Sequence, residues 1–198
     1  AAGLMLQDVD QFYTDSNWTL QDAVGVELVH GWVHFAQNFS YFRERNIQIF
    51  QGDITEFALP HPYRQKTFDL IMLNDVVEHV MPDRVACLVM QLKKVSHRDT
   101  IVYMHTPSPQ TQLLENSGQY FENVVPQHEI IWHMALAGFE LVEFSMDVDT
   151  ICFRKPDDGN TPVQVTRAKC AVNGWAKYTH TVFHRVRKEH EEGMKSYK

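Results

Sequence analysis

A chain of 198 residues suits one domain, because a single core of ~100–200 residues buries enough surface to fold alone. Its 44% hydrophobic and 22% charged residues exclude a low-complexity or disordered chain. The net charge of −7 is uneven, −12 over residues 1–153 against +5 over 154–198, so a nucleic-acid or acidic partner has only the basic tail to recommend it, and a solvated mixed-charge surface is the simpler reading.

In chain order, Leu4, Val9, Phe12 and Tyr13 share a face of a helix near 4–13, and a β-rich run follows at Ala23–Glu27. From 29 to 43, Val29, Val33, Ala36, Phe39 and Phe42 recur at helical spacing, and Asn46–Phe50 is the next strand. Phe68–Asn74 is almost continuously apolar, the pattern of a central strand covered on both faces of a parallel sheet. A helix over 82–97 carries the stripe Val85, Leu88, Val89, Leu92 and Val95. It leads into a strand at Thr100–His105, ended by Thr106-Pro107-Ser108-Pro109. Residues 127–137 form a helix stopped at Gly138, and Phe139–Val148 is a strand. Residues 155–174 are rich in turn formers and suit an extra hairpin, and a last strand covers Tyr178–Arg187. Trp32 and Trp132, each among apolar neighbours at helical spacing, are expected in the core.

This alternation predicts an α/β, Rossmann-like doubly wound domain spanning 1–198, with a mostly parallel sheet, an antiparallel last strand and ligands at the carboxyl ends of the strands. Within it, 1–153 form the core and 154–198 the C-terminal strands and basic tail. Apolar runs are broken by charges or histidines well short of the ~20 residues that span a bilayer, so no membrane segment is expected. Cys87, Cys152 and Cys170 are widely spaced and suggest neither a disulfide framework nor a zinc knuckle, so a reducing, cytoplasmic setting fits.

The chemistry-bearing residues stand after strands. Gly3 resembles the end of a glycine-rich turn. Glu27 ends the Val24-Gly25-Val26-Glu27 strand near the ~20-residue spacing of a ribose-binding acid, and its carboxylate can accept from two hydroxyls. Gly52-Asp53 follows the next strand, and Asn74-Asp75-Val76-Val77-Glu78-His79 follows the one after. Asp75, Glu78 and His79 enter a helix at a spacing that brings the first and fourth residues to one face, a candidate divalent-metal site with His128 as a further ligand. The alternative, preferred here, is that Glu78-His79 caps the helix and shapes an acceptor pocket. Tyr103, His105 and Tyr120 are candidate pocket residues at or beyond strand ends.

The segments VGVEL (24–28), QGDI (51–54) and FDLIMLNDVVEHV (68–80) resemble the class I S-adenosylmethionine-dependent methyltransferase family in order and spacing, and GFELVEF (138–144) is similar to the entry of its sixth strand. The resemblance covers about 1–153. It implies S-adenosylmethionine as cofactor, Gly3 near its methionine part, Glu27 with Leu28 at the ribose, Asp53 and Ile54 at the adenine, and Asn74 with Asp75 near the sulfonium. It also implies that the family's first strand and the opening of its glycine loop lie upstream of Ala1, which makes the chain N-terminally truncated.

The acid-x-x-Glu-His run is similar to that of ubiquinone-pathway O-methyltransferases and small-RNA 2′-O-methyltransferases, where it holds a metal. That likeness leans toward oxygen of a small-molecule acceptor, with His79 and then His128 as the base where a hydroxyl or amine must lose a proton. An RNA acceptor and a non-catalytic binding module are the competing expectations, and a homodimer is left open. No Asn/Asp-Pro-Pro-aromatic tetrapeptide follows the central strand, so the family's usual signature for base or amide N-methylation is missing.

Overall fold

The computed structural model describes residues 20–108, 123–124, 126–148 and 176–185. The expected helix near 4–13, Gly3, Tyr120 and the hairpin of 155–174 lie outside these residues. The chain divides into two compact units, Ala1–Arg64 and Gln65–Lys198.

In the first unit, β1 (Ala23–Glu27) and β2 (Ile47–Gln51) pair in parallel from Ala23 opposite Ile47 to Glu27 opposite Gln51. Parallel neighbours need a crossover, and here it is helical. The helix expected over 29–43 is broken into α1 (His30–Asn38) and α2 (Ser40–Glu44), with Phe39 extended between them. The Asn38 side chain donates to the His34 carbonyl at 2.8 Å, one helical turn back, and such a local side-chain bond competes with the backbone ladder. The break turns Phe42 inward, where it joins Ala23, Val33, Ala36, Ile47 and Ile49 as the unit's core. Phe39 meets Phe42 edge-on at 5.2 Å. Trp32, expected in the core, is 52% exposed on the far face of α1, because the buried positions are Val33 and Ala36.

In the second unit, β3 (Phe68–Asn74), β4 (Ser96–Pro107), β5 (Phe139–Val148) and β6 (Ala176–Arg185) form one sheet in the order β3-β4-β6-β5. β3 runs parallel to β4, and β6 runs antiparallel to both β4 and β5. The antiparallel strand is therefore the last, as the sequence predicts. β3 matches its expected bounds but not its expected cover: among the described residues it pairs only with β4, and Leu70 is 36% exposed. A strand bonded on one side keeps fewer neighbours over its faces than a central one. β4 begins four residues earlier than expected because its polar start is tied down by the Thr100 hydroxyl, which accepts from the His97 amide at 2.8 Å and donates to the Phe68 carbonyl at 2.7 Å.

After the short 3₁₀ turn Pro82–Arg84, α3 (Val85–Lys94) buries Val85, Leu88, Val89 and Leu92, a stripe at helical spacing. α4 (Gln127–Leu136) buries Ile130 and Met134, whereas Trp132, expected inside, is 59% exposed. The sheet contributes Leu73, Val102, Met104, Phe139 and Phe183 to the buried set. Gly138 stops α4 at φ 87°, a left-handed conformation that glycine adopts without a Cβ penalty. Arg185 at the end of β6 donates to the carbonyls of Ala137 and Gly138 there, a cation placed at the negative end of a helix, and lies over the Phe139 ring.

Truncating a fully buried side chain removes its transfer free energy and leaves a cavity. Leu88→Ala is expected to cost about 2–5 kcal/mol in urea denaturation, while Met90→Ala on the exposed face of α3 should stay within ~0.5 kcal/mol. Equal costs would show that the stripe does not carry the packing.

Candidate functional site

In the first unit two carboxylates stand at the ends of adjacent parallel strands. The Glu27 backbone carbonyl accepts from the Gly52 amide at 3.0 Å, which carries the β1–β2 ladder one step past Gln51. Its side chain turns toward the start of α1 and accepts from the Val29 amide at 2.9 Å. Leu28 beside it is exposed. Asp53 closes a tight turn: its Oδ1 accepts from the Thr55 amide at 2.8 Å and from the Thr55 hydroxyl at 2.7 Å, and its carbonyl accepts from Glu56 and Phe57. Ile54 is half-buried in that turn. Gly52 leaves no room for a side chain, since a Cβ there would overlap the Phe57 ring, which is itself stacked near Phe50 at 6.4 Å. Carboxylates accept hydrogen bonds only, so this pair suits a ligand that presents hydroxyl and amine donors, as a nucleoside does.

In the second unit the polar cluster follows β3. Asn74 pairs across the ladder with His105 of β4, and the Asp75 amide donates to the His105 carbonyl at 3.0 Å. Asp75 then takes φ 51°, a left-handed turn that Asp tolerates better than most residues. That turn brings its Oδ1 to 2.8 Å from His105 Nδ1, while Oδ2 accepts from Asn74 Nδ2 at 3.3 Å. Glu78 goes the opposite way. It is 1% exposed, and the Thr106 hydroxyl donates to its Oε2 at 2.9 Å. The Asn123 amide donates to the Glu78 carbonyl and its side chain to the Val80 carbonyl, each at 2.7 Å, which fixes the backbone around the acid.

The expected helix at Asp75–His79 is a three-residue 3₁₀ turn, Val77–His79, because the left-handed Asp75 cannot begin an α-helix. Asp75 and Glu78 consequently engage different partners, His105 and Thr106. His79 Nε2 stands 3.9 Å from Glu78 Oε1, beyond hydrogen-bond reach. Among the described residues no group of three or more His, Cys, Asp or Glu side chains is placed to hold a metal ion, and His128 lies in the first turn of α4. Two participants were not singled out from the sequence as partners. Thr106 had a signal: it continues the alternation Thr100, Val102, Met104 on the buried face of β4, where a polar side chain needs a partner. The pairing of His105 with Asp75 had none, because the residues are 30 apart and meet only through the β3–β4 register.

Burial pushes the Glu78 carboxyl above its ordinary value. Hydrogen bonds from its own backbone amide and from Thr106, and the charge of His79, oppose the rise, and the charge of Asp75 adds to it. A raised carboxyl keeps in the folded state a proton that the unfolded chain has lost, so its contribution is fully present below the ordinary value and is lost as pH rises through the folded value. Urea denaturation at stepped pH should show stability falling across that window, and Glu78→Gln, which keeps an acceptor for Thr106 without the charge, should flatten the fall. An unchanged slope in the variant would assign the fall to other groups.

A family model for methyltransferase domains matches residues 8–104. No curated protein matches the chain. Solved structures share its fold at low identity. One belongs to the complex between the Haloferax volcanii Trm112 methyltransferase activator and a methyltransferase, at 10% identity, covering 94% of this chain and 78% of that one with a TM-score of 0.67. A SAM-dependent methyltransferase from Archaeoglobus fulgidus aligns at 13% identity over 93% of this chain and 82% of its own, TM-score 0.60. The glycopeptide N-methyltransferase MtfA, solved with S-adenosyl-L-methionine, aligns at 8% identity over 88% and 75%, TM-score 0.56. At the membrane question, no helix among the described residues is long and apolar enough to cross a bilayer. Residues 8–104 thus resemble methyltransferase domains, and the chain shares the fold of solved S-adenosylmethionine-dependent methyltransferases.

Proposed function

We propose that the chain transfers a methyl group from S-adenosylmethionine to a small-molecule acceptor, with oxygen as the accepting atom. The observation that carries the donor half is the pair of carboxylates after β1 and β2, on a chain whose residues 8–104 match methyltransferase domains. When bound, the donor supplies an electrophilic methyl on a positively charged sulfur. In the first unit Glu27 is assigned to the ribose hydroxyls beside Leu28, and Asp53 and Ile54 to the adenine; the family resemblance of the sequence assigns Gly3 to the methionine part and Asn74 and Asp75 to the sulfonium end. Much of the acceleration in such a displacement comes from alignment and exclusion of water, so residues that fix the two reactants matter more than any single charge.

A small, uncharged or cationic acceptor is favoured by the excess of acid over residues 1–153, which repels a polyanion. The oxygen preference rests on Glu78-His79 after β3, with Glu78 held by Thr106 as a fixed wall and His79 beside it as a side chain of the acceptor pocket.

Titration calorimetry with S-adenosylhomocysteine tests the donor half without knowledge of the acceptor. The chain should bind it, and Glu27→Ala should weaken binding by about 1–3 kcal/mol through lost charged hydrogen bonds. The variant's thermal unfolding controls for the lost Val29 contact. An unchanged affinity in Glu27→Ala would remove Glu27 from the site, and no binding by the folded wild-type chain would refute the donor assignment.

A further inference from the structure

We infer that His105, oriented by Asp75, is the general base that takes the proton from an acceptor hydroxyl. This deepens the methyl-transfer reading and rests on it. Along β4 Thr100, Val102, Met104 and Thr106 are buried on one face, so His105 belongs to the other, in register with Asn74 of β3 on one side and His180 of β6 on the other. His105 is thus beside the residue assigned to the sulfonium end, at the carboxyl ends of two adjacent parallel strands, where open α/β sheets bind ligands. The ring is only 16% exposed, against 45% for the Asp75 side chain, so the pair runs from solvent into the protein.

The 2.8 Å contact decides which nitrogen is basic. An ionised carboxylate accepts and cannot donate, so Nδ1 carries the proton and the lone pair is on Nε2. The Asp75 backbone holds the same geometry from the other side, since its amide is bonded to the His105 carbonyl and its left-handed turn aims the carboxylate back at the ring. A histidine whose tautomer is fixed by a neighbouring carboxylate is the arrangement that makes imidazole an effective base, because the acid also stabilises the imidazolium that forms. His105 has a carboxylate oxygen at 2.8 Å, whereas the Glu78 carboxylate is 3.9 Å from the His79 ring nitrogen.

The acceptor oxygen forms a bond to the methyl carbon as the carbon–sulfur bond breaks, and that electron pair leaves with sulfur as a neutral thioether. The hydroxyl proton passes to His105 Nε2, and the imidazolium releases it to water after the product leaves. Asp75 is a positioning residue in this scheme and acts only through the His105 ring.

The test pairs binding, transfer and tautomer. Methyl transfer from tritium-labelled S-adenosylmethionine is measured at pH 7 to two probes: phenol, which holds its proton, and 2,4-dinitrophenol, which has already lost it. His105→Gln should bind S-adenosylhomocysteine as the wild type does, lose roughly 100-fold or more in transfer to phenol, and lose only a few-fold with dinitrophenol. Nitrogen-15 NMR of the wild-type chain should place the His105 proton on Nδ1. In Asp75→Asn the amide can donate to Nδ1 and should shift the proton to Nε2, with transfer to phenol falling alongside. Equal losses on both probes, no loss on either, or an Nε2-protonated ring in the wild type would each overturn the assignment. So would a wild-type chain that binds S-adenosylhomocysteine yet methylates neither probe, whereas a chain that fails to bind it would sink the donor reading instead.

Discussion

The parallel register between β3 and β4 is the constraint on which the polar end of the second unit depends. Asn74 stands opposite His105, and the ladder continues one step further through the Asp75 amide before the chain turns left-handed. Because side chains alternate along a strand, a shift of one residue in this register would send His105 into the buried face and bring Thr106 out. The register is secured well away from that end by Thr100, whose hydroxyl bridges the Phe68 carbonyl and the His97 amide, and by His97, whose ring nitrogen is 3.0 Å from an Asp69 oxygen. The hydrophobic faces then hold it, since Leu73, Val102 and Met104 are buried together with the inner stripe of α3.

That same register accounts for a buried acid. Glu78 leaves the Asp75 turn toward the interior, and an isolated carboxylate there would cost several kcal/mol. Thr106 offsets part of this because it lies on the inward face of β4, two residues past Met104. The Asn123 side chain and amide offset the backbone part by tying Val80 and Glu78. One turn thus separates two acids with opposite environments: Asp75 is paired with a histidine near the surface, and Glu78 is bonded to a hydroxyl inside with its carboxyl pushed upward. Groups so placed divide labour, the outer one able to stabilise charge and the inner one fixing shape.

The strands were legible in the sequence to the extent that their faces were. Ala23–Glu27, Phe68–Asn74 and Phe139–Val148 have the expected bounds, each an apolar-rich run whose first residue follows a polar residue or glycine. The break at Phe39 is invisible to hydrophobic spacing, which runs straight through it, because the competing Asn38 side chain leaves no trace in the apolar pattern. Trp32 and Trp132 were misplaced for a related reason: both lie on helices with ample apolar residues, and smaller neighbours take the inner face. The candidate positions Glu27, Asp53, Asn74 and Asp75 were legible because strand ends are, and their contacts were not, because a carboxylate's partner is set by register and by a single φ angle.

The fold constrains these contacts in turn. Asp75 can orient His105 only while it is left-handed, and it is left-handed because the strand must end there: the next residues curl into the 3₁₀ turn that carries Glu78 inward. A helix beginning at Asp75 would have put Asp75 and Glu78 on one face as a ligand pair, at the expense of both the histidine contact and the buried hydroxyl bond. The chain adopts the arrangement in which each acid has its own partner. Proton handling at His105 and a fixed wall at Glu78 are therefore two outcomes of one backbone decision at residue 75.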